Sequence, residues 1–395
     1  MKIRYLAVLL CLAMTACNAD PELASNSEST FANLTPEVQF ESLNGEFDDA
    51  MKEFATAYRA ASESERPAIF ENQYPKANEY VAKFMKIAEE NPGTDAAFDS
   101  LSWIVLRAND EAATEQAYET LWAEHIDHEK MKDVCMGLGS ATPSQKLLDR
   151  LNELIDKNPR SSVKAAATFS LAMALGRINE MKAGGDASEF IASVDASDDR
   201  IEKLYNVIVN DYPDANVLKG NKRTYRSMAE GALFEMHNLA IGMEAPEIES
   251  KDLDGVSFKL SEYRGKVVLL DFWGDWWAPC RAMYSHERSL VKQLADKPFA
   301  IVGVNSDKNR EKICSVVNEK NISWRSFWNG SEGPGGHIST KWNVSSWPTT
   351  YLLDADGKIR FKNLRGEKMD KAIAELMAEM GHDVDLTKHQ DDDEL

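Results

Sequence analysis

Basic residues are in short supply. Lys and Arg total 45 against 65 Asp and Glu, which leaves a formal charge of −20 over 395 residues. Binding to nucleic acid depends on clustered cations that displace counterions from phosphate, so a chain this acidic is not built for it. The charge serves solubility instead. Long apolar runs are also missing near the start: Tyr5–Met14 falls well short of the ~20 residues that cross a bilayer. Cysteine is scarce, with five residues at 11, 17, 135, 280 and 314. Their spacings suit no structural metal site, and no metal or cofactor is expected.

What the start does contain is a targeting pattern. Lys2 and Arg4 precede the apolar run, which ends Met14-Thr15-Ala16-Cys17. This resembles a bacterial lipoprotein box. It implies a signal segment over 1–17, lipidation of Cys17, and a membrane anchor on the periplasmic side of the cell envelope; plain secretion is the alternative. Cys135, Cys280 and Cys314 then remain, an odd number that leaves at least one thiol unpaired within the chain. Residues 18–45, rich in Ser, Asn and Glu, are expected to form a flexible tether.

Residues 46–240 carry helical spacing, with Phe47, Met51, Phe54 and Tyr58 on one face and Tyr80, Phe84 and Ile87 on another. A short pattern recurs: Ile87–Pro92, Leu154–Pro159 and Ile208–Pro213 each end an apolar-acidic stretch in proline. The pattern resembles tetratricopeptide-type helical hairpins, in which the proline starts the second helix. An irregular bundle is the alternative, and the region's role is either a surface for a protein partner or a spacer.

From 241 to 382 the character changes to α/β. Lys266–Trp273 is apolar enough for a buried central strand. A helix is predicted over Pro279–Leu294, a strand over Phe299–Val304, and a helix over Asp307–Glu319 carrying Cys314. Two strands, Thr349–Leu353 and Lys358–Phe361, are joined by an Asp-Gly turn into a hairpin. Ile373, Leu376, Met377 and Met380 mark a last helix that Gly381 closes. The loop Gly330–Gly336 before His337 is predicted to be a plain turn-rich connection, and residues 383–395, ending D-D-D-E-L, an acidic disordered tail.

Phe272-Trp273-Gly274-Asp275-Trp276-Trp277-Ala278-Pro279-Cys280-Arg281 is the most informative stretch. Together with Ala245-Pro246, Asp254-Gly255, Asp271 and Trp347-Pro348-Thr349, it resembles the active-site signature of thioredoxin-fold proteins of the TlpA/ResA type, which are grouped with alkyl hydroperoxide reductase and thiol-specific antioxidant. The resemblance spans about residues 244–380. It implies a thioredoxin fold, thiol-disulfide oxidoreductase chemistry in cell redox homeostasis, and partners that are proteins or peptides bearing thiols or disulfides. It also implies a cis peptide before Pro348, and Asp271 as a proton shuttle to the second cysteine. Trp276, Trp347 and Pro348 would line the wall facing substrate.

One residue departs from the pattern. Trp277 stands where the attacking cysteine belongs, and an indole neither ionises nor forms a disulfide. Two-thiol turnover is therefore excluded, and Cys280 is the surviving half of the motif. Three readings stay open: a variant of the oxidoreductase class, a polypeptide-binding scaffold in which Trp276, Trp277 and Trp347 form one aromatic patch, and a one-cysteine peroxidase acting through Cys280. Cys280 itself is either a buried inert thiol or an activated thiolate at a helix start.

Overall fold

The computed structural model describes residues 31–62, 64–186, 188–212 and 224–386. The signal segment with Cys17, the first part of the expected tether, Pro213 of the third recurrence, and the tail beyond Leu386 lie outside them. The chain divides into two compact units, one ending at Ala174 and the other beginning at Leu175.

The first unit holds α1 (Pro36–Ala60), α2 (Arg66–Gln73), α3 (Asn78–Glu90), α4 (Asp95–Arg107), α5 (Glu111–Glu124), α6 (Met131–Ser140), α7 (Gln145–Lys157) and the start of α8 (Ser161–Ala183). Helix α1 begins inside the segment expected to be a tether, because Leu43 and Phe47 find a core to enter. Trp103 is the centre of that core; its ring lies 4.3 Å from Phe84 and 5.1 Å from Phe47. The first two proline-marked recurrences are helix–turn–helix connections, α3 to α4 and α7 to α8. Neither proline starts its second helix. After Pro92, Thr94 is the cap, and its hydroxyl accepts from Ala97 N at 3.2 Å. Pro159 is followed by Arg160 before α8 begins at Ser161.

The second unit takes the end of α8, then α9 (Glu189–Ser193), α10 (Asp198–Asp211) and α11 (Tyr225–Asn238), and continues into the α/β region. The boundary expected at 240 is thus not where the chain divides. Packing gives the reason: Leu239 and Phe234 join the sheet's apolar layer, and Glu235 accepts from Asn343 Nδ2 at 2.8 Å.

Seven strands follow among the described residues: β1 (Glu249–Lys251), β2 (Ser257–Lys259), β3 (Val267–Trp273), β4 (Phe299–Asn305), β5 (Arg325–Trp328), β6 (Thr349–Leu353) and β7 (Ile359–Lys362). β1 and β2 form a hairpin, and the others a sheet in the order β5-β4-β3-β6-β7. β3 is central, parallel to β4 and antiparallel to β6. The helices among them are α12 (Ala278–Arg281), α13 (Tyr284–Gln293), α14 (Arg310–Glu319), α15 (His337–Lys341) and α16 (Glu367–Glu379). This is a thioredoxin-fold sheet, and the β1–β2 hairpin, β5 and α15 are elements the sequence did not foretell. The helix predicted over Pro279–Leu294 is two pieces. Met283 N bonds to Cys280 O at 3.0 Å, an i→i+3 link that tightens the turn between them.

Side-chain alternation along β3 sorts the core into two layers. Val267, Leu269 and Trp273 face a cluster with Cys280, Met283, Leu290, Ile373 and Met377. Val268, Leu270 and Phe272 face the other side, with Leu239, Phe258, Ile338 and Trp342. The expected tail also begins later than 383. Gly381, at φ +82, reverses the chain, and Leu386 is 3% exposed within the first layer. The loop before His337 is more ordered than a plain connection: buried Asn329 donates to Ser306, Gly333 and Ser339 and accepts from Ile338 N and Ser339 N.

Candidate functional site

The site forms where β3 ends. Trp273 closes the strand, with its indole N–H donating to Ser326 Oγ at 3.3 Å. Gly303 lets the ring lie across β4, since a Cβ there would meet Trp273 Nε1 at 2.6 Å. The loop 274–277 is then held from three sides. Asp275 N donates to Asp307 Oδ2 at 2.9 Å, Arg281 Nη1 donates to Asp275 O at 2.6 Å, and Tyr284 OH donates to Asp275 Oδ1 at 3.3 Å. Gly274 carries the ring of Trp276 against its α-carbon, where any Cβ would stand 1.8 Å from Cζ3.

Trp276 meets Trp347 edge to face, with ring centroids 6.0 Å apart. Trp347–Pro348 is a cis peptide, as the signature implies, and Pro348 is buried beside the half-buried Trp347. The expected three-tryptophan patch is only partly formed. Trp277 caps α12 and is 48% exposed, with no ring contact among the described residues. Successive residues of an irregular loop send their side chains apart, so adjacency in sequence did not become contact.

Cys280 lies behind this surface, 1% exposed. Burial pushes its thiol up to about 12; nearby Asp271 and Glu287 add to the rise, and a main-chain bond from Gly274 and the charge of Arg365 oppose it. Helix α12 is a single turn, too short to develop the dipole that activates a thiolate. The geometry therefore favours an inert thiol. We expect a maleimide to modify native Cys280 at neutral pH at least ~10³-fold more slowly than an exposed cysteine. Half-buried Cys314, whose Sγ donates to Leu253 O at 3.3 Å, should react ahead of it. Peptide mapping of labelled protein reads both rates, and equal labelling would refute the inert reading.

Asp271 is 2% exposed on the same side of β3 as Cys280. Burial raises its carboxyl to about 7, opposed by neighbouring Glu287 and by the charge of Arg365. Glu287, 1% exposed on α13, is pushed well above the ordinary carboxylate range by burial and by Asp271. Both groups are desolvated and each disfavours ionisation of the other, so the pair retains a proton at neutral pH. Glu287 was missed from sequence; its only signal is a place two helical turns after Cys280. Arg365 was missed too. It follows β7 and donates from Nη2 to Pro348 O at 3.1 Å.

The AhpC/TSA family matches residues 241–362. The thioredoxin-like protein YneN of Bacillus subtilis is 34% identical over 122 residues, 30% of this chain and 68% of that protein. This chain belongs to the TlpA/ResA-like thioredoxin-domain redoxins. The thiol-disulfide oxidoreductase ResA of Bacillus thuringiensis is 26% identical over 151 residues, 38% of this chain and 84% of ResA. Among solved structures, the thioredoxin domain of a thiol-disulfide oxidoreductase from Bacteroides vulgatus shares 28% identity, covering 35% of this chain and 99% of that one, with a TM-score of 0.33. Within this redoxin group the chain keeps the thiol-disulfide oxidoreductase-like fold.

Proposed function

We propose that this redoxin domain binds polypeptide in the cell envelope without exchanging disulfides. One observation carries the reading. Trp277, in the nucleophile's place, is 48% exposed, and the surviving Cys280 is 1% exposed. What the site offers a partner is an aromatic surface backed by the cis-Pro348 wall, not a sulfur. Its ligands are the thiol- or disulfide-bearing proteins and peptides that the family's chemistry addresses, held and not turned over. Envelope placement, with a lipid on Cys17, is supported by the basic, apolar and Met14–Cys17 pattern at the start. A one-cysteine peroxidase needs an accessible thiolate, and Cys280 offers neither access nor ionisation.

Binding of fluorescent, S-carbamidomethylated insulin B chain, followed by anisotropy, tests the reading. Trp276→Ala and Trp277→Ala should each weaken binding roughly ten-fold, since aromatic anchors contribute about 1–2 kcal/mol apiece. Affinity unchanged in the double variant would sink it.

A further inference from the structure

We propose that Asp307 is the positioning residue of the aromatic face: its carboxylate, through the main-chain N–H of Asp275, holds Trp276 against Trp347 in the orientation that receives polypeptide. The inference rests on the reading of that face as a polypeptide-binding surface, and it names the residue on which the surface's shape depends.

Trp276 does not hold itself in place. It is 45% exposed, and a single edge-to-face contact with Trp347 is a weak restraint on an exposed ring. Its other support is the α-carbon of Gly274, where a Cβ would stand 1.8 Å from Cζ3. The direction of the ring therefore follows the backbone of residues 274–276, and whatever fixes the peptide N–H of Asp275 fixes the ring.

Three bonds reach Asp275, and they are unequal. Arg281 reaches Asp275 O from a long, exposed side chain. Tyr284 OH reaches Asp275 Oδ1 at 3.3 Å, a long bond for a hydroxyl, and it restrains the side chain and not the peptide. Asp307 Oδ2 accepts from Asp275 N at 2.9 Å. A carboxylate accepting from a peptide N–H makes the stronger kind of bond.

Asp307 is in turn fixed to the sheet. The same Oδ2 accepts from Asn305 Nδ2 at 2.8 Å, Asp307 N donates to Asn305 Oδ1 at 3.1 Å, and Asp307 O accepts from Trp328 Nε1 at 2.9 Å. Asn305 ends β4 and is fully buried, and Trp328 ends β5. Between them, Ser306 N donates to Trp273 O at 2.9 Å, and the Ser306 hydroxyl accepts from buried Asn329. The ends of β3, β4 and β5 thus converge on one carboxylate. The ordered loop before His337 belongs to the same network, which ties it to the binding face.

A ring held in advance loses less freedom when a partner arrives. Removing the carboxylate would leave every residue that touches the ligand in place and release only the ring. A residue that acts through Trp276 alone cannot cost more affinity than loss of the ring itself.

The test is a double-variant cycle with S-carbamidomethylated insulin B chain, read by anisotropy. Asp307→Ala should weaken binding about five-fold, within the roughly ten-fold loss expected of Trp276→Ala, and by less than about two-fold where Trp276 is already alanine. Asp307→Asn keeps an oxygen in the place of Oδ2 and should bind within about two-fold of the unaltered protein. Near-ultraviolet circular dichroism supplies a readout without ligand: Asp307→Ala should remove most of the signal that Trp276→Ala removes, and Asp307→Asn should retain it. Asp307→Ser, whose hydroxyl stops one bond short of Oδ2, takes the place of the alanine variant if that one does not fold. Equal losses from Asp307→Ala in both backgrounds would make the residue a general support and overturn the proposal. Unchanged affinity in Asp307→Ala, or an equal loss in Asp307→Asn, would overturn it too, while leaving the face a binding surface. If the unaltered protein does not bind B chain at all, the binding reading fails and the positioning role falls with it.

Discussion

Trp277→Cys is expected to convert a chain that does not accelerate insulin reduction by dithiothreitol into one that does, by ~10²-fold or more over the uncatalysed reaction. The exposed position and the second cysteine are in place, although a one-turn α12 gives the new thiol little help from a helix dipole. Residue 277 is exposed at the start of α12, and Cys280 lies one turn on, with Cys280 N 3.1 Å from the carbonyl of 277. The new thiolate would attack a substrate disulfide and release one substrate thiolate. Cys280 would then attack the mixed disulfide, release the second thiolate, and give its proton to the Asp271–Glu287 pair. Dithiothreitol reduces the resulting disulfide and closes the cycle. Burial that makes Cys280 inert alone suits it to this second step, because it meets only the sulfur placed beside it. Trp277→Ser, which lacks the sulfur, is expected to stay silent. Adding Cys280→Ser to Trp277→Cys should arrest the reaction as a covalent mixed disulfide visible by mass. A silent Trp277→Cys protein that folds normally would show that the remaining site cannot support exchange.

Asp271→Asn is expected to stabilise the protein by about 2–4 kcal/mol at pH 8 and to change little at pH 4. The sign follows from where the proton sits. Folding raises the Asp271 carboxyl from 3.8 to about 7 and lifts Glu287 well above 4.5. Below pH 4 both folded and unfolded chains hold these protons, and burial carries no charge penalty. Between pH 4 and 7 the unfolded chain releases a proton that the folded chain keeps, so stability falls as pH rises. Asparagine carries no such proton and removes that slope. Carboxylates held low, as Asp252 is against burial by the main-chain N–H of Val256 and then by Arg325, lose stability in the opposite direction as pH falls. They cancel in the difference between variant and parent. Urea unfolding of both proteins at pH 4, 6 and 8 reads it, and parallel curves would refute the coupling.

The parts of the site that were legible in sequence are those with strong local signals. K-V-V-L-L-D-F-W suits a buried strand, and it is β3, with Asp271 on the Cys280 side. Asp-Gly foretold the β6–β7 hairpin, and the family resemblance carried by Trp347-Pro348-Thr349 implied the cis peptide. What escaped depends on partners distant in the chain. β5 is four residues long, too short to display alternation, and is defined by pairing with β4. Glu287 looks like an ordinary helix-surface acid until α13 is laid on the sheet, and Arg365 is an ordinary loop cation until Pro348 O is beside it. The partition at Ala174 is likewise a property of contacts, and no composition shift marks it.

Helix α11 has a practical consequence. The AhpC/TSA family match starts at residue 241, but the folded object does not. Leu239 is fully buried against the sheet, Gly231 lies so close to Asn343 that a Cβ would meet its Oδ1 at 2.4 Å, and Gly242 N and Met243 O both bond to Ile359. Shared ancestry and mechanical integrity therefore have different borders in this chain. A fragment cut at 241 would carry every residue of the family likeness, yet it would open Leu239's socket to water; one cut ahead of Tyr225 would keep that socket filled.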